Sequence, residues 1–307
     1  MSMKARSLIS TLDFTVDEQD EILALAGRMA AAPGDYGHLM GGRIMASLFF
    51  EPSTRTRLSF EAAMYRLGGH VIGFSEAGSS STSKGESLSD TIRMADKYAD
   101  LIVIRHPKEG AASVAGQNTK LPVINAGDGG REHPTQTLTD LMTVKQSKGR
   151  LGGLVIGCAG DLKFGRTIHS LARNIGRYKD VSFIFVSPEE LRIPTFLRAH
   201  LDAEGVAYEE TADLVGAIGR MDVLYMTRVQ RERFFNEQDY IRLKDMYILD
   251  EKKMRIAKPD LAVLHPLPRV NEISREVDAD PRAQYFEQAG WGLYARMALI
   301  AKLLGGA

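Results

Sequence analysis

The sequence predicts an α/β fold made of two doubly wound parallel-sheet domains joined by helices. Short apolar runs of strand length alternate with segments of helical periodicity along the chain, a pattern typical of parallel sheets covered by helices. Glycine and proline mark several of the boundaries. With 307 residues, the chain is long enough for two packed domains but not many more. We place the division near residue 149, at the end of a long helix.

Composition excludes several classes of partner. Hydrophobic residues make up 44% and charged residues 25% of the chain, as in soluble globular proteins. Lysine plus arginine and aspartate plus glutamate each number 39, and a net charge of zero argues against a nucleic acid or an acidic membrane as a general partner. The single cysteine, Cys158, excludes an intrachain disulfide and fits a reducing, cytoplasmic compartment. We see no apolar segment typical of a signal peptide or a transmembrane helix.

In the first half, helices and strands follow recognisable boundary signals. Thr15 and Glu18 form a capping box ahead of a helix that ends before Pro33. The run 43–50 suits a buried strand, and Gly68-Gly69 closes the helix that follows it. Further strands are predicted at 71–74, 101–104 and 123–125, and further helices from Ser89 or Asp90 to Tyr98 and from Thr135 to Lys148.

The second half repeats the alternation and predicts a second doubly wound sheet. Strands are predicted near 154–158, 181–186, 222–226 and 261–265, and helices near 165–175, 188–204 and 212–219. The stretch 155–161 is rich in glycine but does not match Gly-x-Gly-x-x-Gly, so we expect no nicotinamide cofactor. The last helix carries an apolar stripe suited to core packing, formed by Leu293, Met297, Ile300 and Leu304.

The stretch 51–57 lies where a strand ends and a helix begins. Pro52 ends the strand, and the first backbone N–H groups of a helix favour an anion because they have no partners inside the helix. The stretch adds three hydroxyl groups and two guanidinium groups, from Ser53, Thr54, Thr56, Arg55 and Arg57. Because arginine binds phosphate oxygens as a planar fork, a phosphate cradle is one interpretation. A capping serine beside two solvated arginines is the other, and spacing alone does not choose between them.

Three further places carry candidate polar groups. The polar segment 75–89, which contains Lys84, has the composition of a solvated loop. Arg105 follows a buried strand, so it either points into the ligand crevice of a parallel sheet or lies on the surface. His133 precedes Pro134 at a helix N-terminus, where the dipole favours a neutral imidazole. Its N–H group could donate to a carbonyl oxygen, as in an oxyanion hole, or merely cap the helix.

Several separated segments resemble motifs of the aspartate/ornithine carbamoyltransferase family. They occur in the family's order, and the resemblance covers nearly the whole chain. The segments are Phe49 to Arg57, which resembles the carbamoyl-phosphate signature; Lys84-Gly85-Glu86 in a mobile loop; His133 to Gln136; Gly160 to Leu171; Tyr225 to Arg233; and Leu264 to Glu272. The resemblance implies transfer of a carbamoyl group from carbamoyl phosphate to an amino acid, without a metal or a cofactor.

The resemblance also implies roles for individual residues of the donor site. Carbamoyl phosphate would be bound by Ser53, Thr54, Arg55, Thr56, Ser80, Lys84, Arg105, His133, Gln136, Leu267 and Pro268. Of these, Arg55, Thr56, Lys84, Arg105 and His133 would act in catalysis. Lys84 and the loop serine would come from a neighbouring subunit, and Ser81 competes with Ser80 for that place. His133 would polarise the carbamoyl carbonyl, and Gln136 would hold the carbamoyl NH₂.

The acceptor site would draw mainly on the second half. Aspartate would be bound by Lys84, Arg166, Arg228, Gln230 and Leu267. The resemblance implies a cis peptide between Leu267 and Pro268, in a turn whose exposed carbonyls accept hydrogen bonds from the attacking amine. Glu51 would pair with Arg166 and Arg233 when the two domains close. Ornithine enzymes carry a cysteine in the place of Pro266, so this position and the paired arginines favour aspartate.

The same resemblance completes the predictions about domains and assembly. Residues 1–134 with 285–307 would bind carbamoyl phosphate, residues 150–284 would bind aspartate, and the helix 135–149 would bridge them. The products would be N-carbamoyl-L-aspartate and phosphate, in an early step of pyrimidine biosynthesis. A cyclic homotrimer with shared active sites is expected, and a separate regulatory chain stays open. The alternatives are a carbamoyltransferase for another amino acid such as ornithine, or a non-catalytic assembly domain. Trp291 is bulkier than the family leads us to expect.

Overall fold

The computed structural model of the chain describes residues 3–229, 238 and 246–306. The chain divides into two compact units: the first runs to Met142 and resumes at Ala289, and the second is Thr143–Gln288. Each unit holds one parallel sheet with helices in its sequence, which confirms the predicted α/β class. The division between the units falls inside the predicted bridging helix 135–149. The predicted functional division into donor and acceptor domains stays a prediction.

The first unit is built on a four-stranded sheet. Its strands are β1 (Ile44–Phe49), β2 (His70–Phe74), β3 (Leu101–His106) and β4 (Val123–Asp128), all parallel and in the order β2-β1-β3-β4. Its helices are α1 (Val16–Ala31), α2 (Thr54–Arg66), α3 (Leu88–Ala95) and α4 (Ala111–Gln117), and α5 (Pro134–Lys148) begins in it. The central strands are buried, as expected for a parallel sheet with helices on its faces.

The second unit is built on a five-stranded sheet. Its strands are β5 (Val155–Ala159), β6 (Ser182–Val186), β7 (Ala207–Thr211), β8 (Val223–Met226) and β9 (Ala262–Leu264), all parallel and in the order β7-β6-β5-β8-β9. Its described helices are α6 (Arg166–Ile175), α7 (Thr195–Ala203), α8 (Leu214–Ile218) and α9 (Glu251–Ile256). The last helix, α10 (Tyr285–Leu304), begins in this unit and ends in the first.

Two predicted helix boundaries are confirmed in atomic detail. Thr15 and Glu18 form a reciprocal capping box at the start of α1. Helix α2 ends ahead of Gly68, whose φ of +83° is left-handed. A Cβ atom at Gly68 would lie 2.3 Å from the carbonyl oxygen of Gly37, so both conformation and space require glycine there.

Other boundaries differ from the prediction for local reasons. The predicted helix 188–204 is divided into a short 3-10 turn, Glu189–Leu191, and α7, because Pro194 cannot continue a helix from the residues before it. Helix α3 begins one residue before Ser89, with Ser87 as its cap, and ends at Ala95 rather than at Tyr98. Strand β7 and helices α4 and α9 were not predicted. β7 is a half-exposed edge strand with the polar sequence AYEET, so it lacks the apolar run that marks the other strands.

The segments that resemble family motifs lie near the carboxyl ends of strands. Strands β1, β3, β5, β8 and β9 end immediately before Phe50, Pro107, Gly160, Thr227 and His265, respectively. Because every described strand pair is parallel, these ends lie along the carboxyl edges of the two sheets, where open α/β sheets bind ligands. Within the described ranges, no helix combines the length and the apolarity needed to cross a bilayer.

Candidate active site

The N-terminus of α2 presents hydroxyl and N–H groups at the carboxyl end of β1. Ser53 is the N-cap residue in extended conformation, with φ of −154° and ψ of 90°, and its side chain makes no capping hydrogen bond. Thr56 is buried in the first turn, whereas Thr54 and Arg55 are exposed. The segment therefore has the helix N-terminus and the hydroxyl groups that a phosphate cradle needs.

The two arginines of this segment have different partners. The Arg57 Nε atom lies 2.7 Å from Glu61 Oε1, to which the Ser47 hydroxyl also donates, at 3.2 Å. Arg55 instead has its pKa lowered from the ordinary value, first by loss of solvation and then by repulsion from Arg105. Arg55 and Arg105 thus concentrate positive charge that an anion would relieve, while Arg57 is held by its helix neighbour.

Arg105 forms an ion pair with Glu51. The Arg105 Nε atom lies 2.8 Å from Glu51 Oε1, and Arg105 Nη1 also donates to the carbonyl oxygen of Ala126 at 3.4 Å. Both partners are largely buried, with side chains 15% and 28% exposed. The contact differs from the expected pairing of Glu51 with Arg166 and Arg233, which stays a prediction; Arg233 lies outside the described residues. A phosphate that binds Arg105 must compete with this carboxylate.

His133 and Gln136 lie at the start of α5. The buried His133 is placed at the helix start by its carbonyl oxygen, which accepts from the N–H groups of Gln136 at 3.0 Å and Thr137 at 3.3 Å. The Gln136 amide is 2.7 Å from Asp140 Oδ1, one helical turn further on. An ionised carboxylate only accepts hydrogen bonds, so the Gln136 nitrogen faces Asp140 and the amide oxygen remains to accept from an N–H group. This orientation supports the expected contact between Gln136 and the carbamoyl NH₂.

Behind Gln136 lies a buried charge that was not predicted from the sequence. Asp140 is fully buried and Arg296, on α10, is 5% exposed. Burial lowers the pKa of Arg296 to about 10, and the charge of Asp140 acts in the opposite direction. Arg296 Nη1 donates to the Ser59 hydroxyl at 3.1 Å, and the guanidinium lies over the ring of Phe60 at 5.1 Å. The sequence feature that could have indicated this buried charge is a lone arginine among the apolar residues 295–301.

Close packing around Arg296 also explains a neighbouring glycine. A Cβ atom on Gly292 would lie 2.6 Å from Arg296 Nη1 and 2.9 Å from Thr139 Oγ1. A larger residue at this point would require the side chains of Arg296 and Thr139 to shift. Trp291, the adjacent residue, is half-buried and lies 6.4 Å from the ring of Tyr294; the structure gives no further account of its size.

The loop with Lys84 forms a concave surface of its own. It consists of two 3-10 turns, Ala77–Ser79 and Ser81–Lys84, and borders an open depression of about 500 Å³ lined in part by Ser80, Ser81 and Lys84. The Ser80 hydroxyl donates to the carbonyl oxygen of Ala77 at 2.8 Å and caps the second turn, whereas Ser81 and Lys84 are exposed. The positive charge that acts on Arg55 is Arg105, not Lys84.

In the second unit, two turns that carry arginines are tied together. Arg166 begins α6, and the half-buried Arg228 lies two residues after β8. The N–H group of Asp161, in the first turn, donates to Thr227 Oγ1, in the second, at 3.1 Å. A Cβ atom on Gly160 would lie 2.3 Å from the Thr227 carbonyl oxygen, so the approach of the two turns requires glycine. Two neighbouring turns that each carry an arginine could bind the two carboxylates of one ligand. Gln230 lies outside the described residues.

The turn after β9 contains the expected cis peptide. The bond between Leu267 and Pro268 is cis, and Leu267 has a φ of +52°. Leu267 is half-buried and Pro268 is exposed, so the turn borders solvent. Among the residues that the structure describes, no group of His, Cys, Asp and Glu side chains is arranged as a metal site.

Comparison with known proteins identifies close relatives along the whole chain. The carbamoyl-P binding domain of the aspartate/ornithine carbamoyltransferases matches residues 6–146, and the Asp/Orn binding domain matches residues 152–303. The catalytic subunit of aspartate carbamoyltransferase from Clostridium kluyveri is 60% identical over 303 residues, which are 99% of each chain. The Clostridium botulinum catalytic subunit is 58% identical over 304 residues, again 99% of each chain.

Solved structures of aspartate transcarbamoylases superpose closely on this chain. Aspartate transcarbamoylase from Trypanosoma cruzi, in complex with N-(phosphonacetyl)-L-aspartic acid, superposes with a TM-score of 0.92 at 40% identity and covers 98% of this chain and 97% of that one. The same enzyme has been solved with carbamoyl phosphate and aspartate. The catalytic subunit of the M. jannaschii aspartate transcarbamoylase gives a TM-score of 0.92 at 45% identity, with 98% of both chains covered.

Proposed function

The chain belongs to the aspartate/ornithine carbamoyltransferase family, and we propose that it transfers the carbamoyl group of carbamoyl phosphate to the amine of L-aspartate. It is an enzyme with aspartate carbamoyltransferase activity, which binds carbamoyl phosphate and aspartate. The observation that carries this conclusion is the 60% identity with a catalytic subunit over 99% of the chain. The two arginine-bearing turns of the second unit support a dicarboxylate acceptor, because each guanidinium can bind one carboxylate as a fork.

The phosphate of the donor would be bound by the first unit. Ser53, Thr54, Arg55 and Thr56 offer hydroxyl, N–H and guanidinium donors at the start of α2, and Arg105 adds a second charge. Binding an anion here would relieve the repulsion between Arg55 and Arg105. It would also require Arg105 to exchange Glu51 for the phosphate. Glu51 would then be available for its expected partners Arg166 and Arg233.

The transfer itself would depend on positioning and on stabilised charge. Thr56, Arg105 and His133 would donate to the carbonyl oxygen, where negative charge develops as the amine attacks the carbon. Each such donor typically contributes about 10²–10³ in rate. The Gln136 oxygen would accept from the carbamoyl NH₂ and fix its direction. Arg166, Arg228, Gln230 and the carbonyl oxygen of Leu267 would orient aspartate, which lowers the entropic part of the barrier.

The C–O bond to phosphate then breaks, and phosphate leaves with the electron pair. The departing phosphate would accept the proton that the amine loses, so no side-chain base is required. The expected products are N-carbamoyl-L-aspartate and phosphate. We place the reaction early in pyrimidine biosynthesis and, from the single cysteine, in the cytoplasm.

We further propose a homotrimer in which a neighbouring subunit supplies Lys84 and the loop serine. Large apolar side chains are exposed on α2, on β2, and on or just after α3: Leu58, Tyr65, Ile72, Met94 and Tyr98, each 40–58% exposed. Exposed apolar surface of this kind is typical of a subunit contact. The exposed Lys84 also fits a group that acts outside its own chain.

The direct test is product formation by the purified chain with carbamoyl phosphate and either L-aspartate or L-ornithine. We expect carbamoyl-aspartate and no citrulline. Turnover with ornithine would contradict the assignment of Arg166, Arg228 and Pro266 while leaving the phosphate site intact. Carbamoyl-phosphate binding without any turnover would favour the non-catalytic alternative.

A further inference from the structure

One buried pair of side chains, which the proposed roles leave unused, holds the turn after β9. His265 and Glu272 are 2% and 3% exposed, and His265 Nε2 lies 2.6 Å from Glu272 Oε1. The other imidazole nitrogen, Nδ1, accepts from the N–H group of Leu267 at 2.8 Å. The pair therefore spans the turn from its first residue to its last.

The geometry fixes the protonation of both partners. Because Nδ1 accepts from a backbone N–H group, it carries no proton, and the imidazole is neutral with its proton on Nε2. That proton is donated to Glu272, which must be an ionised acceptor. Burial alone would raise the pKa of Glu272, but hydrogen bonds from His265 and from backbone N–H groups hold this pKa below its ordinary value.

Glu272 also holds the second half of the turn. Its Oε2 atom accepts from the N–H groups of Val270 at 3.0 Å and Asn271 at 3.1 Å. The backbone N–H group of His265 donates to Gln288 Oε1 at 3.0 Å. Three N–H groups of the turn, at residues 267, 270 and 271, are thus anchored by two side chains.

Anchoring the N–H group of Leu267 determines where a carbonyl points. The peptide between Pro266 and Leu267 is trans, so its N–H and C=O groups point in opposite directions. With the N–H group directed at His265, the Pro266 carbonyl must point away from the imidazole. The next carbonyl, that of Leu267, leads directly into the cis bond.

We propose that His265 and Glu272 are positioning residues for carbamoyl transfer, which orient the Pro266 and Leu267 carbonyls toward the N–H groups of the reactants through the anchored turn. The inference rests on the proposed function, because it gives those carbonyls their ligands. Two buried polar groups are an expensive way to close a short turn unless its geometry matters. A misplacement of about 1 Å at such a site can reduce the rate about 10²-fold.

The most selective variant is Glu272→Gln, which keeps the shape of the side chain. If the amide oxygen faces Val270 and Asn271, the NH₂ group meets His265 Nε2, which must then move its proton to Nδ1, against the N–H group of Leu267. If the amide is turned over, its NH₂ group meets the N–H groups of Val270 and Asn271. In either orientation, hydrogen-bond donors face each other, so the turn must shift.

His265 offers a matched pair of substitutions. In His265→Asn, the amide oxygen can take the place of Nδ1 and accept from Leu267. In His265→Gln, the longer side chain reaches the place of Nε2 and can donate to Glu272, but leaves Leu267 without its acceptor. If the anchored N–H group matters for catalysis, the asparagine variant retains more activity than the glutamine variant.

The control is Asp222→Asn, at the opposite edge of the same sheet. Asp222 accepts from the N–H group of Val155 at 2.8 Å and from Lys258 Nζ at 2.7 Å, immediately before β8 begins. It therefore performs comparable anchoring away from the carboxyl edge. We expect this variant to lower Tm without changing kcat.

The experiment measures kcat, KM for aspartate, Kd for carbamoyl phosphate and Tm for the four variants in the full chain, well below each Tm. We expect kcat to fall about 10²-fold in Glu272→Gln and His265→Gln, and at most about tenfold in His265→Asn. Values of kcat within about twofold of the parent in the first two would overturn the inference. If Glu272→Gln does not fold, equal kcat losses in the two His265 variants would overturn it as well. A parent chain without aspartate turnover would refute the proposed function instead.

Discussion

The two units hold their candidate ligand groups by different means. In the first unit, the groups are charged side chains at strand ends, and their contacts can be exchanged: Arg105 is paired with Glu51 and would release it for phosphate. In the second unit, the turn 265–272 offers main-chain carbonyls, and a buried pair fixes their direction. The comparison indicates that a charged side chain can exchange its partner for a ligand, whereas a main-chain acceptor needs a rigid local support.

The largest expected effect comes from removing a charge of the first unit. We expect Arg105→Ala and Lys84→Ala each to lose at least about 10³-fold in kcat/KM, because each removes a charge-assisted contact to phosphate. If the site is shared, mixing the two inactive chains and allowing exchange should restore about one site in four by random assortment. Activity is measured before and after exchange.

The control is the Arg105→Ala variant alone, taken through the same exchange procedure. A mixture of the two variants that stays inactive, although chain exchange is demonstrated, would contradict the sharing of Lys84. That result would not contradict the proposed phosphate contacts of Arg55 and Arg105 within the first unit.

A buried charge tests whether the first unit also needs rigid support. Replacing Arg296 by methionine would leave Asp140 as a buried carboxylate without its cationic neighbour. We expect the lost electrostatic stabilisation and the lost hydrogen bond to Ser59 to lower the free energy of unfolding by about 1–3 kcal/mol, measured by urea denaturation. Arg296→Lys is the matched control, because it keeps the charge, and should cost less. Equal losses in the two variants would show that packing over Phe60, rather than charge, is what Arg296 provides.

Candidate ligand groups of the first kind are easier to infer from residue type than the buried support of the second kind. Arg105 lies at the carboxyl end of β3, and Arg55 and His133 lie where helices begin. Positions of both kinds can be inferred from the sequence. The role of the buried pair His265 and Glu272 depends on the direction in which a backbone N–H group points. Neither residue was predicted from the sequence to hold the turn. The motif around them was noticed only through its prolines.

The remaining misses have related physical causes. Arg296 was hidden in an apolar helix stripe, because the interpretation of periodicity followed the apolar residues and passed over the charge among them. Asp140 lies one helical turn after Gln136, a spacing that could have suggested their hydrogen bond. Strand β7 is an edge strand, so its half-exposed polar sequence carries little hydrophobic signal.

A smaller effect is expected from Glu51→Gln, which tests the exchangeable contact. The substitution removes the charge that holds Arg105 in the described structure. We expect slower turnover and weaker aspartate binding, since Glu51 would no longer pair with Arg166 and Arg233. Carbamoyl-phosphate binding should be unchanged or tighter, because Arg105 no longer has to leave a carboxylate. An unchanged aspartate saturation curve, or weaker phosphate binding, would contradict this account.

The smallest effect on catalysis is expected from Asp140→Asn, the first-unit counterpart of Glu272→Gln. An asparagine oxygen can still accept from the Gln136 nitrogen, so the amide keeps its orientation, and kcat should fall by less than about tenfold. The missing charge should appear instead as a lower Tm, because Arg296 stays buried. A larger loss of kcat for Asp140→Asn than for Glu272→Gln would reverse the comparison. Rigid support would then matter more for the side-chain amide of the first unit than for the main-chain turn of the second.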